Sequence, residues 1–204
     1  MTKELFDLMK KVDIQSAEVQ LVLRCAPLLA GLKCSNLLIL KEGQSHRVRQ
    51  LVMHTKISCF SFYQSESQEF LLLYQSGQLE SHLAEAEAGK ILYQLGYSDV
   101  FLSGLLYTFE KRYGAYRRGQ SGFPHEMGLF LGYPPEDVRG FMENNGKYCL
   151  CAGYWKVYDH AREKQLLFQK FDIAKERLLR MLAEGICIEE LVSNSSGRSA
   201  HFLC

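Results

Sequence analysis

Two apolar, strand-like runs constrain this chain most: ISCFSFYQ over residues 57–64 and EFLLLYQ over 69–75, with only the polar residues 65–68 between them. A connection that short joins strands as an antiparallel hairpin, because a parallel pair needs a much longer crossover. SNLLIL at 35–40 supplies a third short buried strand, and KYCLCAGYWKVY at 147–158 alternates well enough to supply a fourth. The strands are not regularly interleaved with helices. The pattern therefore predicts an α+β fold with a small, mainly antiparallel sheet of about four strands surrounded by helices, not a doubly wound parallel sheet.

Helical periodicity fills most of the rest. Residues 3–12 are amphipathic, with Leu5, Leu8 and Met9 on one face. A second helix over 16–25 has Ser16 as its N-cap, and Pro27 interrupts it. Helices are also expected over 45–54, over 78–95 up to Gly96, and from Ser98 or Asp99 through LLYTFEKRY. A short helix from Pro124 to Leu131 ends at Gly132, and another begins at Pro134 and Pro135, where proline suits the first turn. A long helix spans 160–184, with Gly185 closing it. The length, 204 residues, fits a single domain over 1–192 with a Ser- and Gly-rich flexible tail over 193–204. A chain of this size buries roughly 70% of its unfolded surface, so its core needs neither metal nor disulfide.

Composition narrows the function classes. Lys and Arg number 24 against 23 Asp and Glu, so no large positive field exists to capture nucleic acid by counterion release. No apolar run approaches the roughly 20 residues that cross a bilayer. The N-terminus lacks the apolar stretch of a signal peptide, which makes the cytoplasm the expected location. The seven cysteines are scattered, odd in number and without a CxxC pair, a pattern that predicts free thiols in a reducing compartment.

CAPLLAGLK at 25–33, FPHEMGLFLGYPPEDVRGF at 123–141 and CAGYWKVY at 151–158 occur in this order. Together they resemble the blocks of an uncharacterised family of proteins of about this length from clostridia and related anaerobic Gram-positive bacteria. The resemblance covers most of the chain and implies a bacterial cytoplasmic protein. It implies no reaction, and the segment after residue 193 lies outside it.

Several constellations are candidates for chemistry. Cys25 with His125 and Glu126 has the composition of a nucleophile, its base and an orienting carboxylate. The competing reading of Cys25, in Leu-Arg-Cys-Ala-Pro, is a buried core thiol. His125-Glu126-Met127-Gly128-Leu129 lacks the second histidine of a zinc-protease helix, so no metal site is assigned. Cys149 and Cys151, with His160, are ligands for a soft metal only if a pocket gathers them; two small inward side chains on a strand is the plainer reading. Arg112, Arg117 and Arg118 flank the glycine-rich loop 114–122 just before His125, a setting for a small anion to which Lys33 adds charge. Tyr148, Tyr154, Trp155 and Tyr158 offer faces for a flat ring, though such a cluster more often serves core and sheet packing. The helical pair over 124–144 has helix-turn-helix spacing, but Glu136, Asp137 and Glu143 on its second helix would face phosphates unfavourably. A helical hairpin that packs in the core or docks a protein partner is the better reading of such a pair.

Two classes follow. One is an enzyme or redox accessory protein acting on a small anionic or flat ligand through His125 and a thiol. The other is a non-catalytic binding or regulatory module. The first requires a concave pocket in which His125 and a thiol converge; the second predicts an exposed apolar patch with His125 buried. The sequence specifies no cofactor.

Overall fold

A computed structural model describes residues 10, 12–41 and 43–196. Its centre is the expected hairpin. β2 (Ser58–Gln64) and β3 (Gln68–Tyr74) pair antiparallel, and β1 (Ser35–Lys41) pairs antiparallel with the other edge of β3, giving the order β1–β3–β2. The backbone N–H of Ser65 donates to the Gln68 carbonyl at 2.8 Å, and the Ser65 hydroxyl accepts from the Gln68 N–H at 3.1 Å, which closes the turn. A bulge at Ser61/Tyr63 sends the aromatic side chains of Phe60, Phe62 and Tyr63 into one cluster.

The sheet is buried on both faces, and the two-residue side-chain period divides β3 cleanly. Leu71 and Leu73 point into one core and Phe70 and Leu72 into the other. Each such side chain, taken fully out of water, contributes about 1.5–3 kcal/mol. The first face is covered by α1 (Ala17–Leu29), α2 (Ser45–Val52), and later by α8 (Ala161–Ala183) and α9 (Ile188–Ser196). The second is covered by α3 (Ser76–Leu83), α4 (Ala86–Gln94), α5 (Leu102–Arg117), the single turn α6 (Met127–Phe130) and α7 (Pro135–Glu143). A two-stranded ribbon, β4 (Cys151–Ala152) with β5 (Lys156–Val157), packs Trp155 and Val157 against Phe168 and Phe171 of α8 in a third cluster.

Several sequence expectations need correction. Pro27 does not end the first helix: α1 runs through it to Leu29, because the proline removes only its own N–H donor and bonding resumes beyond it, with the Ala30 N–H donating to the Ala26 carbonyl at 2.9 Å. Residues 78–95 do not form one helix. The buried positions Leu79 and Leu83 are followed by Ala88, five residues on, which at 100° per residue would swing off the core face. A break at Ala84–Glu85 restores the phase, and the His82 ring lies 3.1 Å from the Glu85 carboxylate at the corner. Neither Ser98 nor Asp99 caps α5, which starts at Leu102 with Phe101 extended before it. The run 147–158 is a short ribbon, not one strand, because it folds back at Gly153, where the backbone N–H donates to the Trp155 carbonyl at 3.0 Å and the bare Cα lies against the Phe168 ring. The helix expected over 3–12 lies almost wholly outside the described residues, as does the tail from 197; α9 itself carries regular structure through Ser196. Among the described residues no helix is long and apolar enough to cross a membrane.

Candidate functional site

The segment between α5 and α7 turns outward one residue at a time. Pro124 is buried, His125 exposed and Glu126 buried again. Glu126, 1% exposed, anchors the segment inward: one carboxylate oxygen accepts from Arg112 Nε of α5 at 2.5 Å and from the Tyr97 hydroxyl at 3.1 Å. Burial beside that carboxylate drives the Tyr97 phenol well above its ordinary pKa, so Tyr97 is a fixed donor. With Glu126 tied down, the adjacent His125 side chain faces the other way. Its ring lies between Phe123 and Phe141, with centroids 5.4 and 5.3 Å away.

His125 forms one wall of a cleft of about 290 Å³ between α6, α7 and the β4–β5 ribbon. Phe141, Tyr133, Trp155 and Leu131 line the rest, and Lys156 sits at the margin with its ammonium donating to the Gly146 carbonyl at 2.7 Å. Trp155 and Tyr133 are stacked, with centroids 5.0 Å apart and planes at 27°. Asp137 also reaches the cleft, but its charge is spent internally. One oxygen accepts from Trp155 Nε1 at 2.7 Å; the other accepts from the backbone N–H groups of Tyr158 and Asp159 at 2.7 and 3.2 Å. Asp137 is therefore a buried staple between α7 and the ribbon, not the exposed acidic residue that helix periodicity suggests. Gly128 lets α6 and α7 close this corner, since a Cβ there would stand 2.7 Å from Val138 Cγ2.

A second hollow of similar size adjoins the first and shares Leu131 and Tyr133 with it. Lys33 enters from the α1–β1 connection, its ammonium 3.2 Å from Asn36 Oδ1 and 4.9 Å from the centre of the Tyr133 ring. Arg24 and Tyr154 complete the walls. Burial pulls Lys33 down to a pKa of about 8, against the opposing influence of the Cys34 and Cys25 thiols.

A family profile described as "Protein of unknown function (DUF3793)" matches residues 21–192. The chain belongs to that family. The DUF3793 match takes in all three sequence blocks quoted above and every candidate residue from Cys25 to Glu126. No curated protein matches the chain, and no solved structure matches it.

Within the DUF3793 domain the remaining candidates fall in separate places. Cys25 is fully buried in the core on the α1 face, where desolvation pushes its thiol up to about 12 despite the nearby Lys33 charge; it does not line the His125 cleft. No cysteine does. The arginines are dispersed as well. Arg112 is committed to Glu126 and, at 3.2 Å, to the Leu95 carbonyl. Arg117 lies over the Tyr63 ring at 4.4 Å, and Arg118 donates to Gln120 at 2.9 Å. None of the three lines the cleft. The aromatic quartet also divides: Trp155 and Tyr154 each line one hollow, Tyr148 is exposed and Tyr158 packs over Gly140. Among the described residues no group of three or more His, Cys, Asp or Glu side chains is placed to hold a metal. Sequence reasoning missed Tyr133, Phe141 and Asn36. Phe141 and Tyr133 stand inside the quoted block, but nothing in their spacing marks them as facing His125.

Proposed function

We propose that this protein is a non-catalytic small-molecule-binding module whose ligand presents a planar apolar ring to the cleft beside His125. The observation that carries the reading is the exposed His125 ring held between Phe123 and Phe141, which shares with the Tyr133–Trp155 stack a concave space that no thiol of the described residues lines. About 290 Å³ falls just below the roughly 300–1,000 Å³ usual for small-molecule sites, enough for one fused ring system. Aromatic walls reward a flat guest through offset and edge contacts worth about 0.5–1.5 kcal/mol per ring pair beyond simple burial. His125 supplies a polar edge for orientation.

A nucleophilic thiol mechanism has little support, because the fully buried Cys25 would have to ionise at a pKa of about 12 and stands in a different core. Use of the helical pair as a docking surface has little support either. α7 already buries Val138 against α6 and packs Gly140 on Tyr158. Calorimetric titration with 2-naphthalenemethanol tests the proposal. Saturable one-to-one binding is expected in the natural protein and at least a tenfold loss in Phe141→Ala. Absence of binding by the natural protein, or equal binding by the variant, would overturn it.

A further inference from the structure

We infer that the ligand is an aromatic carboxylate, its ring lying in the His125 cleft and its acid group reaching past Leu131 and Tyr133 to Lys33 in the adjoining hollow. This rests on the ring-binding reading above and adds the charge of the ligand. The first support is that two cations meet in one hollow without a counterion. Lys33 and Arg24 share one hollow, and among the described residues neither has a carboxylate within 4.0 Å.

The second support is preorganisation. The Asn36 amide donates to the Arg24 carbonyl at 2.8 Å, which turns its oxygen toward Lys33. The ammonium is thereby held between that oxygen and the Tyr133 face, with donor capacity left over, since an ammonium has three N–H groups. A cation in a half-buried hollow without a counterion is costly, and its lowered pKa reports that cost. A ligand carboxylate would offset it. Nothing in the neighbouring cleft would repel the anion. Asp137, the acidic residue there, has both oxygens occupied, and Lys156 adds a further positive charge. Asp172, which meets the second hollow's wall at Tyr154, accepts from the Tyr154 hydroxyl at 2.8 Å. Tyr133 belongs to both hollows, stacked on Trp155 and lying under Lys33.

The chain's only tryptophan, Trp155, lies in the cleft wall and reports occupancy by its fluorescence. The experiment titrates the protein at pH 7 with 2-naphthoate, with its neutral counterpart 2-naphthalenemethanol, and with inorganic phosphate. A charged hydrogen bond to a desolvated ammonium should favour 2-naphthoate by about tenfold or more. In Lys33→Met, checked for folding by circular dichroism, the preference for acid over alcohol should vanish. Equal affinities for acid and alcohol in the natural protein would overturn the inference and leave the ring-binding reading intact, and this comparison needs no variant. Binding of neither naphthalene compound would remove both. Tight binding of phosphate alone, with no preference for 2-naphthoate over the alcohol, would mark an anion site unconnected to the ring cleft and likewise overturn the inference.

Discussion

Lys33 illustrates how a single side chain stores an unfavourable state that a ligand can relieve. Its amine titrates at about 8 against an ordinary 10.5, so the folded protein holds that proton less tightly than the unfolded chain does. This contribution disfavours the fold below pH 8 and fades as pH rises from 8 toward 10.5, where only the unfolded chain would still be protonated. Denaturant unfolding at pH 7 and pH 9.5 should therefore show a larger gain, or a smaller loss, with rising pH in the natural protein than in Lys33→Met. Binding of a carboxylate has the opposite trend: it needs the ammonium and should weaken above pH 8. The groups facing Lys33 there are Cys25, Cys34, Tyr133 and Arg24. Burial raises the two thiols and the phenol, which keeps them neutral across most of that range. Cys25 itself should resist iodoacetamide at pH 7.5 in the folded protein while the exposed Cys187 reacts, as mass mapping would read. Arg112→Met should cost about 3 kcal/mol in denaturant unfolding, because it leaves the Glu126 carboxylate buried with Tyr97 as its remaining partner.

At the scale of elements, what the sequence made legible is what local pattern controls. The hairpin of β2 and β3, the Ser16 cap that accepts from the Val19 N–H at 3.2 Å, the proline start of α7 and the long α8 were all readable from a few neighbouring residues. What was not readable depends on partners far along the chain. The corner between α3 and α4 follows from which face the core requires, and the fold-back of residues 147–158 follows from Phe168 packing over Gly153. Asp137 looked like a solvent-facing helix-start acid because its partners Trp155 and Tyr158 are about twenty residues on. His125 was legible as a candidate, but Cys25 joined it only by chemical analogy, and no local signal separates a nucleophilic thiol from a core one. Close helix–ribbon contact gives a test at this scale. A Cβ on Gly140 would stand 2.5 Å from Tyr158 Cβ, so Gly140→Ala should destabilise the fold by about 1–3 kcal/mol and loosen the ribbon that carries Trp155. Denaturant unfolding followed by Trp155 fluorescence would register both effects.

On the scale of the whole molecule, a three-stranded sheet buried on both faces leaves its neighbours to make the cleft. α6 and α7 arrive from the chain that covers the second face, the ribbon stands on α8 from the first, and the His125 cleft opens where they meet. The adjoining hollow draws Lys33 and Arg24 from the first-face helix and its exit. Both hollows thus lie at a seam between cores, where ligand pockets commonly form. The most direct test of the central claim is the NMR signal of the Trp155 indole N–H during titration with 2-naphthoate. That group donates to Asp137 and belongs to the cleft wall, so ring binding beside His125 should shift it progressively and saturably, together with the His125 ring protons. A saturable shift confined to those groups and their neighbours is the predicted result. An unmoved Trp155 signal at millimolar ligand, or shifts confined to residues away from the cleft, would contradict the account.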